Sequence, residues 1–254
     1  MGRTGSVSRI VEPGEILFFY RPRVGVDEVH SLDEVQRFFF VLEPERVQRY
    51  RRLIVGRKRL PDPRRHERTW AFVAEVADCP EALHDELVRK AYETRTRGVR
   101  IQPEARAVGE GRYAIVEHNG HSHLAYVLVL PPTPGEAQET FGIRREASYI
   151  TAVRNPTSET PPGTGLPTRE RPAFPSELME RFGGRRFVTL DDPRFLDHEG
   201  AEIILIGDAV EGADDLGIDI ELQQFEFDPT EILRKLRLPP GQVRTDPLER
   251  GDLL

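Results

Sequence analysis

The residues best spaced to do chemistry are the three histidines of His118-Asn-Gly-His121-Ser-His123. Asn119-Gly120 is the signature of a two-residue type I′ hairpin, because both central positions of that turn need positive φ. Such a turn sets His118 opposite His121, and His123, two residues on, returns to the same face. Three imidazoles on one patch can ligate Zn²⁺ or another first-row divalent metal and leave a position open for water. A metal-bound water of lowered pKa supports hydrolysis, so one functional reading is a metal-dependent hydrolase using His118, His121 and His123. The competing reading is three solvated turn residues. No carboxylate follows at a recognisable ligand spacing, and Glu117 alternates to the opposite face.

A second candidate is basic. Arg46 to Arg68 holds ten basic residues against Asp62 and Glu67, a net +8 in a chain of net −7, so the remainder carries −15. Arg51, Arg52, Arg57, Lys58 and Arg59 form a candidate strip for anion or nucleic-acid contact, with Tyr50 and Trp70 close enough in sequence to stack a base. The alternative is a surface ion-paired with the acidic second half, within the chain or across a homo-oligomer. A pI near 5.6 argues against a polyanionic partner at long range.

Other motifs are weaker. Asn155 to Pro172, with its Pro-Pro-Gly-Thr-Gly centre, reads as an extended loop suited to a lid or a partner-binding arm. Asp208, Glu211, Asp214 and Asp215 could offer oxygens to calcium, but EF-hand spacing is absent. Cys79 precedes Pro80 at an expected helix start, where a thiol pKa can fall. There is no Gly-x-Ser-x-Gly, no Gly-x-Gly-x-x-Gly and no P-loop.

The elements that would position these residues are mostly strands. Ile16–Tyr20, Phe38–Leu42, Arg51–Val55, Trp70–Val76, Val99–Ile101 and Tyr113–Val116 read as strands, and Pro80 to Tyr92 as a helix with Leu83, Leu87 and Ala91 on one face. Ser31-Leu-Asp-Glu34 resembles a capping box opening a helical turn. Beyond these, the spacing predicts strands over His121–Leu130, Glu139–Ile143, Tyr149–Val153, Phe187–Leu190 and Ala201–Ile206, and a short helix over Pro175–Phe182 ended by Gly183-Gly184. Ile218–Leu222 alternates as a strand, Asp228–Leu236 reads as a short helix, and 239–254 as a mobile tail.

The chain also resembles itself. Phe38–Pro44, Gly56–Arg59, Trp70–Val76, Pro80–Leu83 and Glu110-Gly111 are answered in order by Tyr126–Pro132, Gly142–Arg145, Tyr149–Val153, Pro175–Leu178 and Glu199-Gly200. The expected fold is α+β and β-rich. A duplicated unit of about five strands and one helix, over 10–111 and 112–207, packs with pseudo-two-fold symmetry as a barrel or two facing sheets, followed by an extension over 208–238. No linker composition separates the units at Gly111, which favours one body.

The bulk numbers are those of a soluble globular chain of 254 residues, 38% hydrophobic and 31% charged. No apolar run approaches the roughly 18–20 residues that cross a bilayer, and Met1 to Arg9 shows no apolar core of signal-peptide type. A single cysteine excludes an intramolecular disulfide and fits a reducing, cytoplasmic setting. The first functional expectation is a non-catalytic binding or partner-interaction protein with a ligand cleft between the units; the hydrolase and nucleic-acid readings stand behind it.

Overall fold

The computed structural model describes residues 8–96, 98–159, 170–208, 231–239 and 241–253. Its strands are β1 (Arg9–Pro22), β2 (Val35–Pro44), β3 (Tyr50–Val55), β4 (Arg68–Ala77), β5 (Lys90–Thr94), β6 (Gly98–Gln102), β7 (Arg106–His118), β8 (His121–Leu130), β9 (Glu146–Arg154), β10 (Phe187–Thr189) and β11 (Glu202–Asp208). Among the described residues, five short helices, α1 (His84–Leu87), α2 (Glu136–Phe141), α3 (Ser176–Phe182), α4 (Glu231–Lys235) and α5 (Asp246–Arg250), cover its ends and one side. Eight strands run in the order β9-β11-β4-β3-β2-β1-β7-β8, every neighbour antiparallel, and β8 pairs back onto β9 to close a barrel. β10 adds to the end of β9, while β5 and β6 form a separate two-stranded ribbon.

Alternation sorts the side chains between two cores. On β1, Ile16, Phe18 and Tyr20 point into the barrel, and Leu17 and Phe19 point out. On β2, Phe38, Phe40 and Leu42 point in, and Phe39 and Val41 point out. Both faces are apolar because both are covered. Outside, Phe19 and Phe39 stack at 5.5 Å beneath Ile232, Leu236, Leu238 and Leu248 of the C-terminal segment, with Leu83 and Leu87 beside them. The described residues of 239–254, expected as a mobile tail, are therefore packed: Leu248 is fully buried, and Gly251 O accepts from Ala137 N. Lys235 ties α4 to the barrel wall, 2.8 Å from Glu15 and also bonded to Glu110.

Inside, the lumen is filled. Phe141 of α2 lies against Tyr20 (4.8 Å between ring centres) and Phe38 (4.9 Å), and Phe18 meets Tyr126 edge-on at 5.2 Å. At the opposite end of β1 the interior turns ionic. The Arg51 guanidinium, 2% exposed, donates to Glu12 at 2.7 Å and to Asp197 at 2.8 Å, and the Tyr113 hydroxyl donates to the same Glu12 oxygen at 2.8 Å. Burial above all, and then the Glu12 carboxylate, push the Tyr113 phenol well above its ordinary value, so it remains a donor.

Several expectations are corrected. β1 runs straight through Pro13-Gly14, expected to bound it, because Gly14 lets Glu43 O and the Tyr113 ring approach to 2.4–2.5 Å of where a Cβ would stand. The helix over Pro80–Tyr92 shrinks to a 3-10 turn and the single turn α1, and the chain then extends as β5. Residues 139–143, expected as a strand, close α2 instead, with Gly142 at φ 69° as its left-handed stop. Ser31–Glu34 makes a turn without a helix, and the Glu34 carboxylate accepts from His30 N. The boundary expected at Gly111 falls in the middle of β7. Residues 209–230, including the strand expected over 218–222, lie outside the described residues.

The ionic cluster yields a stability prediction. Arg51→Met leaves the buried Glu12 without its cation, and Asp197 with Arg49 alone at 3.9 Å, and should lower the unfolding free energy by about 3–5 kcal/mol in a urea titration. A loss under about 1 kcal/mol would show that the cluster is solvated and inert.

Candidate functional site

The hairpin that carries the histidines forms as its residues dictate. Asn119 and Gly120 sit at φ 52° and 76°, and His118 pairs directly with His121. His118 Nε2 lies 2.8 Å from Asn119 Nδ2, and its Nδ1 lies 2.7 Å from Ser8 Oγ. His123 is 4% exposed, on the outer wall of the barrel. Its Nδ1 is 3.3 Å from Ser148 Oγ and 3.6 Å from Asp208 Oδ2, and its ring meets that of His118 edge-on at 6.2 Å.

The structure thus brings His118 and His123 together and leaves His121 exposed. Among the described residues, no group of three or more His, Cys, Asp or Glu is placed to hold a metal ion. The carboxylate that sequence reasoning missed is Asp208. It reaches His123 because β9 lies between β8 and β11, an adjacency with no local signature. Serine, histidine and aspartate meet here, but Ser148 and Asp208 both face Nδ1. A nucleophile and its orienting carboxylate need opposite ring nitrogens.

Burial is the main force lowering the His123 pKa; the Asp208 carboxylate opposes it, and the neighbouring imidazoles of His118 and His121 add to it.

The basic segment does not make a continuous strip. Strand alternation turns Arg51 into the barrel and Arg52 out of it. Arg52 pairs with Glu75 at 3.1 Å with its guanidinium 5.7 Å from the Phe39 ring centre; Arg59 pairs with Glu67 at 2.8 Å. Lys58 Nζ donates to Val35 O at 2.6 Å. Only Arg57 of the five is exposed. The ion-paired alternative describes Arg51, Arg52 and Arg59 better than a phosphate-facing surface does, and Lys58 is held by backbone carbonyls.

Cys79 is free and exposed, ahead of a 3-10 turn instead of the helix expected. Glu211, Asp214, Asp215 and the Pro-Pro-Gly-Thr-Gly centre lie outside the described residues.

What the sequence did not reveal is a cleft of about 560 Å³ on the outer wall of β2, β3 and β4. Ile54, Phe72 and Ala74 form its apolar floor; Arg37 and Arg52 stand on one side, and Glu170, Arg171 and Glu199 on the other. Arg37 has a 43% exposed side chain and touches Glu86 at 2.9 Å. The far wall is pinned by Gly200, which donates to Val73 O at 2.8 Å and sits at φ 83°, where a Cβ would meet Glu170 O at 2.0 Å. Arg171 anchors the same wall by donating to Pro156 O at 2.7 Å. The only hint in the sequence was that Arg37, Ile54 and Phe72 alternate outward on neighbouring strands.

Comparison with family models, with curated proteins and with solved structures finds no match for this chain.

The buried histidine gives a pH prediction. Between the ordinary value of about 6.5 and the lowered native value the unfolded chain binds more protons at His123, so stability rises with pH and falls on acidification through that window. Urea titrations from about pH 7 to about pH 5 should show a smaller loss in His123→Gln than in the wild type. Parallel losses would assign the acid sensitivity elsewhere.

Proposed function

We propose that this protein is a non-catalytic ligand-binding barrel whose site is the outer cleft. The observation that carries this reading is the pairing of an apolar floor, Ile54 and Phe72, with the accessible guanidinium of Arg37 in one concavity. Small-ligand sites have this composition: mostly apolar contact with a few convergent polar groups, in a volume of several hundred Å³. Three guanidinium groups and two carboxylates line the cleft, so its charge is nearly balanced. That favours a small amphipathic molecule with one acidic or carbonyl acceptor near Arg37, over a polyanion. A filled lumen also supports an outside site, because aromatic rings occupy the space an eight-stranded barrel would otherwise offer.

The cleft draws its two sides from 37–74 and from 170–200, one from each of the stretches 10–111 and 112–207 that the sequence pairs as copies. We read them as an ancestral duplication now fused in one barrel, with the ligand site at the junction. Between the corresponding strands the first stretch carries β3 where the second carries α2, so the copies have diverged where one wall of the cleft is built.

The probe is 1-anilinonaphthalene-8-sulfonate, an amphipathic monoanion that fluoresces in apolar clefts. It should bind the native protein saturably at one site. Phe72→Ser and Arg37→Ala should each weaken it by about tenfold, the cost of one good contact of about 1.4 kcal/mol. Binding that is unsaturable, or indifferent to both changes, would overturn the reading.

A further inference from the structure

Beside the apolar floor of the outer cleft, the hydrogen bonds of its arginines do not balance. The Arg52 side chain is 6% exposed, with its guanidinium against the Phe39 ring. Its Nε and Nη2 each lie 3.1 Å from Glu75 Oε2. Its Nη1 is buried and has no hydrogen-bond partner among the described residues. Glu86 Oε2 stands 3.9 Å from that nitrogen, beyond hydrogen-bond reach. A buried donor left without an acceptor is costly, the more so on a charged group.

Glu86, on the single turn α1, is shared among too many cations. The same Oε2 accepts from Arg37 Nη1 at 2.9 Å and lies 3.6 Å from Arg21 Nη1. Arg21 needs it least, because its Nε, Nη1 and Nη2 donate to the carbonyls of Pro103, Glu86 and Val88 at 2.8–3.2 Å. Arg37 is the opposite case: it is accessible, and Glu86 is its one ionic partner among the described residues. Arg21, Arg37 and Arg52 thus face the two carboxylates of Glu75 and Glu86. Glu104, which also acts on Arg21 electrostatically, is paired with Arg89 at 3.4 Å. This corner is one acid short.

We propose that the ligand of the cleft is a monocarboxylate, an aromatic or branched aliphatic acid whose carboxylate bridges Arg37 and Arg52. The inference rests on the reading of the cleft as a ligand site and adds the identity of the head group. Arg52 Nη1 gains the acceptor it lacks, and the apolar body lies on Ile54 and Phe72. Glu86 yields Arg37 and falls back on Arg21, so three guanidinium groups meet three carboxylates. Glu86 is therefore a built-in competitor for the site. A neutral carbonyl leaves the corner one charge short and makes the weaker, uncharged hydrogen bond. A phosphate dianion brings one charge too many.

The test compares 2-naphthoate with its neutral isostere 2-naphthamide on the full chain, by isothermal titration calorimetry. The acid should bind at one site, about tenfold or more tighter than the amide. Glu86→Gln removes the competitor and should tighten the acid about tenfold; Arg52→Lys keeps a charge beside Glu75 but loses Nη1, and should weaken it about tenfold. A Glu86 that merely holds Arg37 in place would give the reverse sign in Glu86→Gln. The comparison of acid with amide on the wild-type chain carries the test if a variant misfolds. Equal binding of acid and amide, an acid affinity unchanged or weakened by Glu86→Gln, or one indifferent to Arg52→Lys would each overturn the inference. The cleft itself survives those results if the anilinonaphthalene sulfonate still binds at one site and still needs Phe72; failure of all three compounds to bind removes both.

Discussion

The antiparallel pairing of β8 with β9 is the constraint on which the rest of the molecule depends. It joins the two ends of an eight-stranded sheet and leaves the barrel no open edge. Closure fixes what is inside. Once Phe18, Tyr20, Phe38 and Tyr126 face one another across so narrow a circle, and Phe141 fills one end, aromatic rings take up much of the lumen. Closure also makes neighbours of residues far apart in the chain: Ser148 and Asp208 lie beside His123 only because β9 is shared by β8 and β11.

A second constraint follows from the first. The end of the barrel away from Phe141 cannot be sealed by aromatics alone, because the Pro193–Asp197 turn crosses it with a carboxylate facing inward. Arg51 answers that carboxylate and Glu12 together, and Tyr113 completes the coordination of Glu12. A buried cation held between two acids adds little net energy against an apolar filling of the same shape. Its value is positional. A slip of one residue in β3 would expel Arg51 and draw Arg52 inward, away from both partners, so the cluster penalises the wrong register. The arginine-rich run that looks like a phosphate strip in the sequence is, on the folded wall, a register device on one face and an ion-paired surface on the other.

The period-2 strands were legible, and so was the hairpin at Asn119-Gly120, because both rest on interactions within a few residues. Asn119 and Gly120 must take positive φ wherever the rest of the chain goes. The failures share a different cause. Pro13-Gly14 looks like a boundary, but β1 continues because Tyr113, a hundred residues away, needs the space a Cβ would take. Leu238 to Leu254 looks too polar and proline-rich to pack, yet Val243 and Leu248 reach the apolar outer face of β1 and β2. The helix that ends at Phe141 replaces the strand expected over 139–143 because Phe141 has a place at the barrel end only from a helical turn. The histidines were found and their carboxylate was not, since strand order has no local code. The cleft was invisible for the same reason: its floor needs two strands, one side a third and its far wall a fourth segment.

A filled and edgeless barrel leaves only its outside for recognition, and most of that outside is already committed. The C-terminal helices cover β1 and β2, and the Arg52–Glu75 ion pair lies across the outer face of β3 and β4. Two places escape among the described residues. One is the stretch of β3 and β4 where Ile54 and Phe72 stay half-buried, with no described helix over them. The other is the ribbon, which lies outside the closed circle of strands and so keeps an edge of the kind that closure abolished elsewhere. A chain that spends two separate apolar cores on stability has no structural need to expose Val99 at 69%. Exposure of that kind has a cost in solubility and tends to be lost unless something covers it.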